Sequence, residues 1–168
     1  MKHYDVIIIG SGIAGISLGS IISKERKVAI IEKEKQLSYH STGRSFAFFI
    51  ESYGNNAIIE LTKISKKFFY DNFNLFLKKK GVMFIGNNKQ KTIVEDFYNE
   101  HKHKVKLELF SKNETIKLAN CLNADYVNNS VIDINASEID VNNLYEYYRK
   151  LYNINDGFIF TDFNINLV

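Results

Sequence analysis

The 168-residue sequence contains no proline, only one cysteine and no long apolar run. A single cysteine, Cys121, excludes an internal disulfide and a cluster of thiolate metal ligands, and we expect it to be a small apolar residue, buried or half-buried. The apolar run of residues 6–9 is shorter than the hydrophobic core of a signal peptide. No stretch approaches the roughly 20 apolar residues that span a membrane. These absences predict a cytoplasmic protein.

The sequence also lacks a surplus of charge of either sign. The net charge is +3, and lysines and acidic residues alternate along the whole length, so no basic face indicates nucleic-acid binding. The run Lys78–Lys80 is interpreted as the solvated C-terminal end of a helix. His3, His101 and His103 do not have the spacing of metal ligands and are interpreted as surface residues. No metal site is predicted.

What the sequence does contain is a strand–helix–strand pattern at its start. After Asp5, residues 6–9 are continuously apolar and β-branched, which is typical of a strand covered on both faces, and residues 28–31 repeat the pattern. A helix is predicted between them, over residues 13–24. Residues 4–32 therefore predict a right-handed βαβ unit.

The turn between the first strand and the helix has the spacing G-x-G-x-x-G, formed by Gly10, Gly12 and Gly15. In a dinucleotide-binding unit the first glycine permits the tight turn, the second lets the backbone approach a pyrophosphate, and the third lets the helix pack closely on the strand. The helix N-terminus then favours the phosphates. Glu32 ends the second strand, where a carboxylate can accept hydrogen bonds from the hydroxyls of an unphosphorylated ribose.

FAD and NAD share this glycine pattern, so the following segment decides between them. Residues 39–54 are rich in hydroxyl groups and aromatic rings and contain one guanidinium, that of Arg44. Such a segment can reach the pyrophosphate and continue along the ribityl chain towards a flavin, whereas an NAD domain usually continues with another regular α/β unit. The sequence favours FAD, and an NAD-binding regulatory module is the weaker alternative.

The remainder of the chain alternates between helical and extended patterns. Ser111 and Glu114 form a capping box that begins a helix, and Asp140 is the predicted N-cap of another. Helices are predicted over residues 58–73, 92–103, 111–120 and 140–152, and strands over residues 82–85, 107–110, 130–134, 158–161 and 164–168.

The segment Tyr-His-Ser-Thr-Gly-Arg-Ser at residues 39–45, followed by Ala47, Glu51, Tyr53 and Gly54, resembles the FAD-dependent D-amino acid oxidase superfamily. Within it, the segment is most similar to the D-arginine dehydrogenase-like branch, and the resemblance extends over nearly the whole chain. It implies an α/β fold: a Rossmann-like FAD/NAD(P)-binding domain, incomplete, with the beginning of a substrate domain. Residues 1–45 and 130–168 would form the FAD-binding part, and residues 46–129 a helical, substrate-side insertion.

The resemblance also implies the role of individual residues. Tyr53 would face the substrate and hydrogen-bond its carboxylate, and His40 would be a structural hydrogen-bonding residue. Besides the three glycines, the residues that would contact FAD are Ala14, Glu32, Lys33, Ser41, Thr42, Gly43, Arg44, Ser45, Phe46, Ala47, Phe48 and Ile165.

The function that this resemblance implies is oxidation of a D-amino acid or a similar small amine by hydride transfer to FAD. Phe48 stands where arginine-oxidising members carry histidine, and together with Phe46 and Phe49 it predicts an apolar wall unsuited to a cationic substrate. Family members are considerably longer, which implies an N-terminal part that is neither stable nor active alone. The alternatives are a non-catalytic FAD-binding fragment, or one subunit of a split enzyme completed by a second chain.

Overall fold

The computed structural model describes residues 3–165. Its elements, in chain order, are β1 (Val6–Ile9), α1 (Ile13–Ile22), β2 (Val28–Ile31), β3 (Phe48–Phe49), α2 (Asn56–Asp71), α3 (Phe73–Phe76), β4 (Leu77–Lys79), β5 (Val82–Gly86), α4 (Lys91–His101), β6 (Leu107–Ser111), α5 (Lys112–Leu118), β7 (Asn129–Asp133), β8 (Ser137–Ile139), α6 (Val141–Ile154) and β9 (Phe158–Phe160).

The chain divides into two compact units. The first unit comprises Met1–Ala47 and Asp140–Val168, and the second comprises Phe48–Ile139. The second unit thus includes residues 130–139, which the sequence analysis grouped with the FAD-binding part, because β7 and β8 pair with strands of the second unit.

The first unit is built on a parallel sheet in the order β1–β2–β9. Val6 pairs with Val28 and Ala29 with Phe158, so the predicted βαβ unit gains a third parallel strand from the far end of the chain. α1 and α6 pack against each other and supply one covering layer. The core residues of this unit are Ile8, Ile16, Val28, Ile30, Tyr145 and Tyr152. The α/β fold class predicted from the sequence is confirmed.

Only one face of β1 is covered within the described residues. Ile8 is 9% exposed, whereas its neighbours Ile7 and Ile9 are 58% and 73% exposed. Successive side chains of a strand point to opposite faces, so the two exposed isoleucines lie on the same face. The described residues therefore supply only part of the cover that the apolar pattern of β1 indicates on both faces.

The second unit contains two antiparallel three-stranded sheets, in the orders β3–β8–β4 and β5–β7–β6. α4 packs on the latter sheet and buries Val94 against Leu107 and Val131. The predicted capping box at the start of α5 is present, with Ser111 and Glu114 bonded to each other.

Four smaller predictions need correction. Lys78 and Lys79 lie in β4, which pairs with β8, and not at a helix end. Cys121 is exposed. His101 is 5% exposed because it packs against Phe97 in the interior of the second unit, and its Nδ1 has no hydrogen-bond partner among the described residues.

The fourth correction concerns the end of the described chain. Residues 164–165 are not in a strand, and the rest of the strand predicted over residues 164–168 lies outside the described residues.

Within residues 3–165, helices of the length and apolarity needed to cross a bilayer are absent. The same residues bring no three His, Cys, Asp or Glu side chains together as ligands for a metal ion.

Candidate functional site

The turn after β1 depends on two glycines. Gly10 has a φ of +98°, and a Cβ added there would meet nothing within 4 Å, so the space beside this turn is open. A Cβ on Gly15 would lie 2.0 Å from the backbone oxygen of Gly10. The start of α1 can approach the turn this closely only because Gly15 has no side chain.

The N-terminus of α1 is held by a residue from a distant loop. Gly12, the N-cap, has no side chain to accept a hydrogen bond, and instead the Oγ1 of Thr42 accepts from the backbone N–H of Ile13 at 3.0 Å. A Cβ on Gly12 would lie 3.1 Å from the same oxygen. Because that oxygen already accepts from the helix, the hydroxyl proton of Thr42 can be donated outwards, to an anion at the positive helix end.

Glu32 is held beside the turn by hydrogen bonds to its carboxylate. Oε2 accepts from the backbone N–H of Ser11 at 2.9 Å and from the Ser11 hydroxyl at 2.6 Å, and Oε1 accepts from the N–H of Glu34 at 3.0 Å. Burial alone would raise the pKa of Glu32, but these hydrogen bonds outweigh it and hold the pKa below its ordinary value of 4.5. An oriented, ionised carboxylate thus stands at the end of β2, where a ribose hydroxyl would donate to it.

Two residues of this arrangement escaped the sequence analysis. Ser11 is 0% exposed and links the turn to Glu32, and the hydroxyl of Tyr145 in α6 donates to the backbone oxygen of Ser11 at 2.9 Å. Ser11 stands at a variable position of the glycine pattern, and Tyr145 is 134 residues away in sequence. No local pattern signals either role.

The loop that carries Thr42 folds back on itself. The N–H of Gly43 donates to the oxygen of Ser38 at 2.7 Å, and a Cβ on Gly43 would lie 2.4 Å from that oxygen. The guanidinium of Arg44 lies over the ring of Tyr39, 4.8 Å from its centroid. His40 is tied to the same region because its Nε2 lies 2.9 Å from an oxygen of Glu34.

The other residues predicted to contact FAD in the first unit lie at four separate places. Ser41, Arg44, Ser45 and Phe46 are exposed along the loop, and Ala14 is exposed in the first turn of α1. Ile165 is 39% exposed near the end of the described residues. A cavity of about 370 Å³ follows β2 and is lined by Lys33, Glu34, Lys35, Gln36, Tyr39 and Asp162.

The first unit thus brings the three glycines, Glu32 and Thr42 together, whereas Phe48 and Tyr53 belong to the second unit. Tyr53 is 63% exposed there. It lies at a cavity of about 480 Å³ whose lining residues are Ser52, Tyr53, Gly54, Asn55, Asn56, Phe84, Phe97, Glu100 and His101. Phe49 is 5% exposed and packs against Phe69 and Tyr70, so it belongs to the interior of the second unit and not to an apolar wall.

Comparison with known proteins adds a family and a fold. The model of a family described as DAO, FAD dependent oxidoreductase, matches residues 5–152. Among curated proteins, an uncharacterised protein of Methanocaldococcus jannaschii is 39% identical over 59 residues, which cover 34% of this chain and 16% of that protein.

Several solved structures share the fold. L-α-glycerophosphate oxidase from Mycoplasma pneumoniae, solved with FAD bound, has a TM-score of 0.82 at 17% identity, with 96% of this chain and 45% of that one covered. Glycine oxidase from Geobacillus kaustophilus gives 0.82 at 13% identity, covering 96% and 47%. L-proline dehydrogenase from P. horikoshii gives 0.78 at 16% identity, covering 98% and 46%. The chain spans less than half the length of each of these proteins.

Proposed function

Because the chain belongs to the DAO family of FAD dependent oxidoreductases, we propose that its first unit holds FAD for the oxidation of a D-amino acid or a similar small amine. FAD is the cofactor of this family. The second unit then belongs to the substrate side, with Tyr53 as the residue that meets the substrate.

The observation that carries this proposal is the arrangement around the turn after β1. The space beside Gly10 is open, the Thr42 hydroxyl lies at the N-terminus of α1, and the Glu32 carboxylate is oriented at the end of β2. These three features fit the needs of a dinucleotide: room for the backbone to approach it, donors for its phosphates and an acceptor for its ribose.

Each part of the chain has a distinct task in this proposal. The glycines and Thr42 bind the pyrophosphate, Glu32 and Lys33 bind the ADP half, and the loop from Ser41 to Phe48 follows the ribityl chain and the flavin. When bound, FAD supplies the redox chemistry by accepting a hydride from the α-carbon of the amine. The protein's own residues bind and orient the two molecules, which explains why the sequence shows no acid–base pair.

The proposed substrate is neutral or apolar. Phe46 is 73% exposed on the loop, and Phe48 replaces the histidine of the arginine-oxidising members that the sequence resembles. A cation beside these rings would lose hydration worth roughly several kcal/mol, and a cation–π contact of about 0.5–2 kcal/mol would offset only part of that loss. The preference for the D enantiomer rests on the resemblance of residues 39–54 to the D-arginine dehydrogenase-like branch.

A substrate panel tests this preference. We expect a reconstituted full-length form to give a higher kcat/KM with neutral or apolar D-amino acids than with D-arginine. D-arginine ranked first would contradict the apolar wall, and L-amino acids ranked first would contradict the choice of enantiomer.

The second candidate is a subunit of a split flavoenzyme, or a fragment that binds FAD without turnover. It is favoured by the uncovered face of β1, where Ile7 and Ile9 are exposed among the described residues. A second chain would then complete the substrate side. Flavin absorbance without turnover would favour this candidate, whereas turnover by the purified chain would exclude it.

The FAD assignment is tested with Gly12→Val, because a branched side chain would occupy the space in front of Thr42. We expect this variant to lose bound flavin. Gly19→Ala is the matched control: its Cβ would meet Ile30 at 3.0 Å on the packed side of α1, so it strains the same helix away from the turn. Flavin retained in Gly12→Val, or lost equally in both variants, would contradict the assignment.

A further inference from the structure

The segment that leads to Tyr53 begins in a sheet of the second unit. Phe48 pairs with Glu138 and Phe49 pairs with Ser137, in the antiparallel ladder between β3 and β8. The backbone is therefore fixed up to Phe49, four residues before Tyr53.

The strongest link in this segment joins Ser52 to Asp133. The Ser52 hydroxyl donates to Oδ2 of Asp133 at 2.8 Å, across 81 residues of sequence, and both residues are 0% exposed. The other carboxylate oxygen, Oδ1, accepts from the N–H groups of Asn135 and Ala136, each at 3.1 Å. Asp133 therefore holds the turn between β7 and β8 with one oxygen and the residue preceding Tyr53 with the other.

A second link holds the residue before Ser52. The carboxylate of Glu51 receives Nζ of Lys66 at 2.8 Å and the hydroxyl of Tyr70 at 3.4 Å, both from α2. On the other side of Tyr53, Gly54 has a φ of +92°, a conformation that side chains rarely permit.

Tyr53 is exposed although its neighbours are anchored. Ser52 is fully buried, Tyr53 is 63% exposed, and both line the cavity of about 480 Å³. A buried polar pair in a low-dielectric interior is costly to leave half-satisfied, so the Ser52–Asp133 bond restricts the directions in which the next side chain can point.

We infer that Asp133 is a positioning residue: through the Ser52 hydroxyl it holds the Tyr53 side chain at the rim of this cavity, in the orientation that receives the substrate. The inference rests on the proposed function because that proposal makes Tyr53 the residue that meets the substrate. The positioning of Tyr53 itself can be measured without turnover. Asp133 acts through Ser52 and does not touch the substrate.

The test labels Tyr53 with 3-fluorotyrosine in the full 168-residue chain and records its ¹⁹F resonance in three variants. Ser52→Ala removes the link and is expected to shift or broaden the Tyr53 signal. Asp133→Asn keeps a polar partner for the Ser52 hydroxyl and is expected to preserve most of the signal. Ser130→Ala is the matched control, because Ser130 is also 0% exposed and its hydroxyl bonds to that of Thr115 at 2.8 Å in the same unit.

Kinetics of the reconstituted full-length form give the second readout. Ser52→Ala is expected to raise KM for a neutral amino acid about tenfold while kcat and flavin content change less than about twofold, because only the placement of Tyr53 is altered. Ser130→Ala is expected to lower the melting temperature by a similar amount and to leave KM and the Tyr53 resonance unchanged.

The outcomes separate the two proposals. An unchanged Tyr53 resonance in Ser52→Ala, or an equal change in Ser130→Ala, would overturn the positioning role whatever the activity. Absence of turnover in the unmodified, flavin-loaded, reconstituted full-length form would count against the proposed function, and the ¹⁹F spectra would still decide the role of Asp133.

Discussion

Each unit contains a glutamate that accepts two hydrogen bonds from one serine, yet the two pairs do different things. In the first unit Glu32 receives the N–H and the hydroxyl of Ser11, 21 residues away and buried. In the second unit Glu114 receives the N–H and the hydroxyl of Ser111, three residues away and exposed. The local pair caps a helix, whereas the distant pair joins two strand ends beside an open turn. The same chemistry contributes to a candidate ligand site only where the fold brings distant backbone segments together.

The largest expected difference between the units comes from their glycines. Gly15→Ala would place Cβ 2.0 Å from the backbone oxygen of Gly10, which cannot move without opening the turn. We expect this variant to retain no FAD and to melt at a much lower temperature. Gly86→Ala in the second unit would meet a terminal methyl of Val94 at 2.7 Å, which can shift, at a cost of about 1–3 kcal/mol. Flavin absorbance and thermal melting are measured for both variants. FAD retained by Gly15→Ala would contradict the expected difference between the two glycines.

The two serine–glutamate pairs give the next largest effect. Glu32→Gln removes charge-assisted hydrogen bonds worth about 1.5–3 kcal/mol, so FAD affinity should fall roughly 10- to 100-fold. Glu114→Gln is the matched control and should leave FAD affinity unchanged. Fluorescence titration with FAD measures both, and equal affinities in the two variants would show that Glu32 is only structural.

The lowered pKa of Glu32 adds a pH dependence with a definite sign. A carboxylate whose pKa is lower in the folded chain stabilises the fold above its ordinary value of 4.5, and this contribution is lost as the pH falls through the folded pKa. We therefore expect stability to decline below about pH 4.5, less steeply in Glu32→Gln than in the unmodified chain. Urea unfolding between pH 3 and 6 measures how steeply the free energy of unfolding falls with pH in each protein.

A moderate effect is expected at Tyr152, whose buried hydroxyl lies 2.8 Å from the backbone oxygen of Val28 and 2.9 Å from that of Phe158. Tyr152→Phe removes this bridge between β2 and β9 and should cost about 1–2 kcal/mol. Burial also raises the pKa of Tyr152 from 10.0 to about 12. The protonated Tyr152 hydroxyl thus contributes fully to the stability of the fold below pH 10, and this contribution is lost as the pH rises from 10 to 12.

Alkaline unfolding of Tyr152→Phe should accordingly be flatter between pH 10 and 12. Tyr98→Phe is the control in the second unit, where the ring lies beneath the ammonium of Lys102. An identical alkaline slope in the two variants would contradict the role of Tyr152.

The smallest expected effects come from two helix caps, and they test whether a change in one unit affects the stability of that unit alone. Asp140 caps α6 in the first unit by accepting from the N–H of Asn143 at 2.9 Å, and Asn55 caps α2 in the second by accepting from Ile58 at 3.1 Å. Asp140→Ala and Asn55→Ala should each cost about 1 kcal/mol. Hydrogen exchange should show faster opening only in the unit that carries the change, and uniform acceleration in both would mean that the units unfold together.

Sequence alone could predict the elements whose signals are local. Four features could be predicted because each is contained in a few consecutive residues. They are the glycine pattern, the apolar runs of β1 and β2, the capping box at Ser111 and the N-cap at Asp140. The short strands β3, β4 and β8 were missed, since their pairing joins segments far apart in the chain and two or three residues carry no periodicity.

The burial pattern of α6 shows the same limit on a smaller scale. Helical spacing alone places Leu144, Tyr148 and Leu151 on one apolar face, whereas the structure buries Leu144, Tyr145 and Tyr152. The hydroxyls of the two buried tyrosines find backbone oxygens on Ser11 and Val28, and such partners exist only in the folded chain. The same reasoning applies to the candidate site: its glycines were predictable, and the Ser11–Tyr145 contact was not.

The interruption of the first unit by residues 48–139 imposes an order on synthesis. A ribosome releases β1, α1 and β2 first, but the third strand β9 and the covering helix α6 follow only after the second unit is made. Tyr152 of α6 follows the end of β2 by 121 residues, and at about 5–20 residues per second that interval lasts roughly 6 to 24 s. Throughout it, Ile30 has no Tyr152 to pack against, while the continuous second unit can complete both of its sheets. The unit that begins first in the chain is therefore expected to finish folding last.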